Sequence, residues 1–445
     1  MNQEKSFLRS VCNLAIPVAL QSMLQASFSM VDQIMIGQLG SVAVAGVGLA
    51  GKFSSIYSVL VSAIGAVAGI MISQYMGQEK QREVRRSFFL NLSMAGMLAL
   101  LFTLVCFLFP QQIMSIYSKD SETIVAAAEY LLIIAGTFLP MAGATLLSTL
   151  FRCMEKASLP LVASMVAAVL NTVLNYVLIF GKFGFAAMGA EGAAIATLVS
   201  QLANFFLMFF MLMKYKSCLN RGLEAEDATP FNWKQYMDML LPVFACEFLW
   251  SLGENVYAVI YGHLGTDSCA AMTLINPIQG LMIGALCGLS QAASVIIGKK
   301  LGNKEYDEAY IAAKKLIWYG LVGSLCLSLV IVLTSSLYVS IYQVEETVKE
   351  LTKQILFAYA LVAPFKVLNM ILGGGIIRSG GKTKYVMFID MIGTWGFGVP
   401  LGLLSAFVWE LSIPYVYFIL SLEECVRFMI SLVVLRRRSW MQSLD

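Results

Sequence analysis

The sequence predicts an all-α polytopic membrane protein whose twelve transmembrane helices form two six-helix bundles related by an internal repeat. Three observations lead there. Of the 445 residues, 59% are hydrophobic and only 13% are charged, where an ordinary soluble domain carries about 25% charged residues. Twelve apolar runs reach the roughly 20 residues that a helix needs to cross a bilayer: 12–36, 53–76, 88–114, 123–148, 158–180, 190–213, 236–262, 274–298, 311–338, 351–377, 384–409 and 412–435. The halves also repeat at an offset of 225 residues, where Pro17 meets Pro242, Gly37 meets Gly262, Leu39-Gly40 meets Leu264-Gly265, Gly77 meets Gly302 and Glu83 meets Glu308.

The first run follows Lys5 and Arg9 in the charge order of a signal peptide. It is too long for one and shows no small-residue cleavage site, so it stands as the first span. The connections then alternate. Basic residues crowd the connections, or the first turn of the following run, after runs two (Lys80, Arg82, Arg85, Arg86), four (Arg152, Lys156), six (Lys214, Lys216, Arg221, Lys234), eight (Lys299, Lys300, Lys304, Lys314, Lys315), ten (Arg378, Lys382, Lys384) and twelve (Arg436, Arg437, Arg438). The other connections hold Lys52, Lys119, Lys182 and Lys349. By the positive-inside rule the rich connections and both termini are cytoplasmic, which suits a cell (inner) membrane protein. The longest polar segment divides the chain into an N-terminal lobe over 1–218, a cytoplasmic linker over 219–234 and a C-terminal lobe over 235–445. Six spans, an even number, separate equivalent positions, so the lobes insert in the same sense about an axis along the membrane normal. Parallel repeats of this kind characterise secondary transporters. A duplication with only a structural purpose is the alternative, and polar residues inside the spans decide between the two.

Several function classes drop out. A net charge of +3 and the absence of a basic stripe interleaved with aromatics give no sign of nucleic-acid binding. Gly380-Gly381-Lys382-Thr383 imitates the tail of a phosphate loop, but the required glycine is replaced by Ile376 and no strand precedes it. No nucleotide is therefore expected. Nine scattered cysteines without a CxxC and a single histidine, His263, leave no disulfide framework, zinc site or hydrolytic triad in view. No cofactor, no catalytic residue and no metal beyond a possible Na⁺ are expected.

Residues that are costly in lipid mark the candidate sites. In span one Gln21, Gln25 and Asp32 fall on one helical face at i, i+4 and i+11, with Pro17 beside them. A carboxylate in hydrocarbon must take a proton, find a cation or face water; alternatively Asp32 reaches the headgroup region near Gly37. Span five carries Ser164, Asn171 and Asn175 on one face, as cavity wall or as interhelical hydrogen-bond glue. Span seven carries Glu247, Trp250, Ser251 and Glu254 on one face. Counted from Lys234, Glu247 lies roughly 20 Å in, and Lys366 of span ten is the expected partner. Asp390 of span eleven reads as a structural charge, with Arg378 as its candidate partner.

The chain resembles the multidrug and toxic compound extrusion (MATE) family over nearly the whole length. The matching stretches are IPVALQSMLQASFSMVDQIMIGQLG, LFRCMEKASLP, LNTVLNYVLIFGKFGFAAMGAEGAAIAT, EFLWSLGENVYAVIYGHLG and IIRSGGKTKYVMFIDMIGTWGFGVPLG. The resemblance implies a twelve-helix antiporter that exports organic, often cationic and lipophilic compounds in exchange for H⁺ or Na⁺. It implies that Asp32 is the centre of ion coupling in the N-terminal lobe, with Asn171, Asn175 and Thr197 around it. Some members have aspartate where this chain has Asn175, which leaves the choice of ion open. The branch with acids in spans seven and ten is matched here by Trp250 and the Lys366-Val367 region, so its sodium site is not expected. Glu247 matches the EFLWSLG signature of another branch.

The expected function is therefore a monomeric secondary antiporter for small organic substrates in the lipid bilayer, with Gln21, Gln25, Glu247, Trp250, Glu254 and Lys366 facing cavities. A flippase for a lipid-linked sugar is the alternative. Its pyrophosphate head would call for several basic residues in the cleft, and the sequence offers Lys366. A membrane-embedded enzyme lacks its nucleophile and metal arrangements.

Overall fold

The computed structural model describes residues 2–214, 232–342 and 344–444, and among them no strand forms. The linker expected over 219–234 falls largely outside the described residues. The first half runs as α1 (Asn2–Gly37), α2 (Ser41–Gly77), α3 (Gln81–Leu108), α4 (Pro110–Ser115), α5 (Ser121–Ala135), α6 (Phe138–Cys153), α7 (Ser158–Phe180) and α8 (Gly189–Lys214). The second half follows with α9 (Trp233–His263), α10 (Thr266–Gly302), α11 (Tyr306–Ser340), α12 (Glu346–Asn369), α13 (Thr383–Met391), α14 (Val399–Leu403), α15 (Ile413–Ser421) and α16 (Glu423–Arg437). π-Helical turns over Met370–Ile377, Ile392–Gly398 and Leu404–Val408 extend α12 and join α13 to α14 and beyond.

Ten of these helical stretches are long and apolar enough to cross a membrane. The fourth apolar run is α5 and α6, bent by 47° where they meet. Pro140 explains the bend, because it has no N–H to give to the carbonyl of Gly136 one turn earlier. The twelfth run is the other exception. It is broken at Leu422 into α15 and α16, and it holds Glu423, Glu424 and Arg427. Local chemistry sets the helix ends. Asp120 caps α5, taking the Thr123 N–H at 3.1 Å and the Thr123 hydroxyl at 2.5 Å; both bonds hold its carboxyl below the usual carboxylate range. Asn232 caps α9 by accepting the Gln235 N–H at 3.1 Å. The turns α1–α2 and α9–α10 both pass through a glycine with positive φ, Gly40 at 94° and Gly265 at 108°, a conformation that L side chains resist. These two glycines are repeat equivalents.

The chain forms two compact units. One, called here the C-terminal unit, gathers the described residues of Met1–Ala19, Ser73–Gln78 and Thr229–Asp445; the N-terminal unit gathers those of Leu20–Ile72 and Glu79–Ala228. Inside the C-terminal unit the last turns of α2 and α10 cross with almost no side chain between them. A Cβ at Gly77 would run into the Lys299 backbone, and one at Gly302 into the Gln74 backbone. At the repeat offset Gly77 corresponds to Gly302 and Gln74 to Lys299, so the two contacts are a single contact formed twice. Small residues at such a crossing let backbones approach closely.

The segment after α16 is tied to the same place. Arg438 bonds Asp307 at 2.7 Å and lies over the Tyr310 ring, 4.3 Å from its centroid. Trp440 is wholly buried. The buried Gln74 amide accepts the Leu444 N–H at 2.7 Å and donates to the carbonyls of Ser379 at 2.7 Å and Gln442 at 3.2 Å. Gln78 adds a bond to the Leu444 carbonyl at 2.6 Å.

Candidate functional site

In the N-terminal unit α1, α7 and α8 bring Asp32, Asn171, Asn175 and Thr197 into one hydrogen-bonded chain. The i, i+4 spacing puts both asparagines on one face of α7. Asn175 Nδ2 donates to Asp32 Oδ1 at 2.5 Å and to Asn171 Oδ1 at 3.1 Å. Asn171 Nδ2 donates to Thr197 Oγ1 at 3.4 Å, and that hydroxyl donates to the Ala193 carbonyl at 3.0 Å. Asn175 is 1% exposed. Its own Oδ1 is buried and has no donor among the described residues. Leaving such an acceptor unmatched costs about 1–3 kcal/mol, so the arrangement lacks one donor or one cation. Lower on the same helix pair, Gln21 Nε2 donates to Ser164 Oγ at 2.8 Å. Gln25 stays exposed, and no bond from it joins the chain.

The C-terminal unit holds a second set of polar groups. Glu247 was expected to meet Lys366; instead Arg378 Nη1 lies 3.5 Å from Glu247 Oε1. The depth count started too early. Thr383 Oγ1 bonds the Met239 carbonyl at 2.9 Å and Lys384 pairs with Asp238 at 2.8 Å, so Met239 marks the level of the span-ten turn. Glu247 is eight residues from there, about 12 Å, within reach of the long Arg378 side chain. Asp390, offered to Arg378, is held by Arg427 and accepts a bond from Cys246 Sγ at 2.7 Å. Arg427 Nη1 also lies 3.5 Å from Glu424 Oε2, which accepts from Asn369 Nδ2 at 2.8 Å. The Tyr257 hydroxyl donates to Glu423 Oε2 at 2.6 Å.

Two cavities adjoin this set. One of about 270 Å³ is lined by Glu247, Trp250, Lys366, Arg378, Asp390 and Arg427 among others. The other, about 360 Å³, is lined by Glu254, Lys366, Glu423, Glu424 and four tyrosines among others. Lys366 and Glu424 border both. The sequence reading missed Glu423, Glu424 and Arg427 because it took 412–435 as an apolar run. The signal was present in SLEECVRF, where three charges interrupt a span and obey the same rule that singled out Asp32.

Residues 17–177 and 242–404 each match the MatE family model. The two matches begin at Pro17 and Pro242, the residues that the internal repeat pairs. The chain belongs to the MatE family. Among the relatives of this MatE protein, an uncharacterized transporter of Bacillus subtilis, YisQ, is 19% identical over 99% of the chain and 96% of its own length. The probable multidrug resistance protein NorM of Thermotoga maritima is 23% identical over 91% of the chain and 87% of its own. A solved mutant of the Vibrio cholerae MATE transporter VcmN superposes with a TM-score of 0.89 at 18% identity, covering 99% of the chain and all of that structure. That likeness shows the two-bundle helical fold of the solved MATE structures, and among the described residues ten of the twelve apolar runs are single helices able to span a membrane, with the bent α5–α6 pair an eleventh. The names of these relatives concern transport and drug resistance.

Proposed function

We propose that this MatE protein is a secondary active antiporter that exports organic, cationic or lipophilic compounds in exchange for H⁺ or Na⁺ by alternating access. It works as a monomer in the cell membrane with both termini cytoplasmic, its lobes 1–218 and 235–445 joined by the linker 219–234. The observation that supports this best is the chain Asp32–Asn175–Asn171–Thr197 with its unmatched Asn175 oxygen. A proton on Asp32 supplies the missing donor, and a Na⁺ shared by Asp32 and amide oxygens supplies the missing cation. Either ion therefore changes the bonding of the whole chain. A bound ion shifts a conformational equilibrium only through different affinity for the two states, and a network reorganised by one ion provides that difference. The lipid-linked sugar reading finds little support, because Arg378 and Arg427 are already engaged by carboxylates.

The test is efflux of a lipophilic cationic dye from proteoliposomes under an imposed pH gradient and, separately, an imposed Na⁺ gradient. Efflux driven by one of them is expected and names the ion. Efflux that ignores both, with a functional reconstitution verified by orientation, contradicts the antiport.

A further inference from the structure

The larger of the two cavities beside Lys366, about 360 Å³, has a charge pattern that the Asp32 hydrogen-bond chain does not explain. Four of its neighbouring charges are satisfied where they stand. Glu424 is held by Arg427 and by Asn369, Arg427 also by Asp390, and Glu423 by the Tyr257 hydroxyl at 2.6 Å. Two charges are left over. Glu254 on α9 and Lys366 on α12 both line the cavity, and among the described residues neither forms a hydrogen bond nor an ion pair within 4.0 Å. A carboxylate and an ammonium thus line one open cavity without a hydrogen bond or ion pair of their own among the described residues. Inside a membrane each is costly unless compensated, and the compensation that one needs is of opposite sign to that of the other. The remaining wall suits an organic skeleton: Tyr257, Tyr359, Tyr261 and Tyr417 line it, with the Tyr417 hydroxyl already accepting from Gln279 at 2.9 Å. A volume of about 360 Å³ falls in the range of small-molecule sites.

We propose that this cavity binds a small zwitterion, a molecule carrying one ammonium and one carboxylate on a hydrocarbon or aromatic skeleton, with the ammonium toward Glu254 and the carboxylate toward Lys366. A simple cation satisfies Glu254 but leaves Lys366 without an ion-pair partner, and a simple anion does the reverse. Only a ligand with both charges compensates both walls, and the distance between its charges sets the fit. The proposal names a substrate class for an exporter and to that extent rests on the export reading, but binding itself needs neither a membrane gradient nor turnover.

The experiment is calorimetric titration of the purified full chain in detergent with ω-amino carboxylates from 4-aminobutanoate to 8-aminooctanoate, against hexylamine and hexanoate. One chain length is expected to bind at least about tenfold more tightly than either single-charge compound. Glu254→Gln should bring that compound down to the affinity of hexanoate, and Lys366→Met down to that of hexylamine. If Lys366→Met fails to fold, the length series on the native chain and Glu254→Gln still decide. Hexylamine binding as tightly as the best zwitterion, affinity independent of length, no binding across the series, or zwitterion binding unchanged in Glu254→Gln would each overturn the proposal. Binding as expected with no gradient-driven efflux would instead count against export and leave the site standing.

Discussion

Asn175 gives one Nδ2 hydrogen to Asp32 Oδ1 across 2.5 Å while its own Oδ1 stays buried without a donor among the described residues. One amide therefore holds the carboxylate and is itself incomplete. In the proposed mechanism a proton or cation arriving at Asp32 completes it, and the change passes to Asn171 and Thr197, which follow Asn175 along bonds of 3.1 Å and 3.4 Å.

Removing that amide should uncouple transport more than it unfolds the protein. Asn175→Ala is expected to cost about 1 kcal/mol of stability, the order of a hydrogen bond inside a membrane, and to slow gradient-driven efflux by at least about tenfold. Thr197→Val, at the end of the longest bond, should change efflux by no more than about twofold. Initial efflux rates at matched protein levels check both. Equal effects of the two substitutions would contradict the order of the chain.

The charges of the C-terminal unit divide into buried and exposed pairs, and they should behave differently. Arg427→Met strands Asp390 and Glu424 and is expected to destabilise by about 3–5 kcal/mol. Lys384→Met breaks the exposed pair with Asp238 and should cost no more than about 1 kcal/mol. Thermal unfolding followed by size-exclusion chromatography measures the difference, and a mild Arg427 variant would show that its partners are solvated.

The crossing of α2 and α10 offers a test of the repeat. Gly77→Leu and Gly302→Leu each drive a side chain into the partner backbone and should lower stability by similar amounts, about 1–3 kcal/mol. Because both act at one crossing, the double variant should lose less than the sum. Unequal single effects would mean that the two contacts are not equivalent.

Trp440 should hold the C-terminal segment in place. Trp440→Ala empties a wholly buried site and is expected to weaken docking by about 3–5 kcal/mol, which limited proteolysis after Arg438 reads directly. An uncut tail in the variant would place the anchoring elsewhere, on the Gln74 and Gln78 bonds.

Much of this was legible in the sequence, for definite physical reasons. Composition and run length gave the helices, because lipid accepts little else. The offset that pairs Pro17 with Pro242 gave the repeat, and helical spacing together with the family resemblance gathered Asp32, Asn171, Asn175 and Thr197. The pairings of Glu247 and Asp390 were not legible. They depend on the level at which Met239 meets Thr383, which no count along one helix supplies. Arg427 escaped because averaging a run as apolar hides single charges, although each of those charges carries more information than the average.

The most direct test is Asp32→Asn in proteoliposomes, compared with the native chain under the gradient that drives efflux. Asparagine keeps the size of the side chain and an acceptor for Asn175, but it can take up neither a proton nor a cation's charge. Normal folding with gradient-driven efflux abolished is the predicted result. Undiminished efflux in that variant would remove Asp32 from coupling and the proposed mechanism with it.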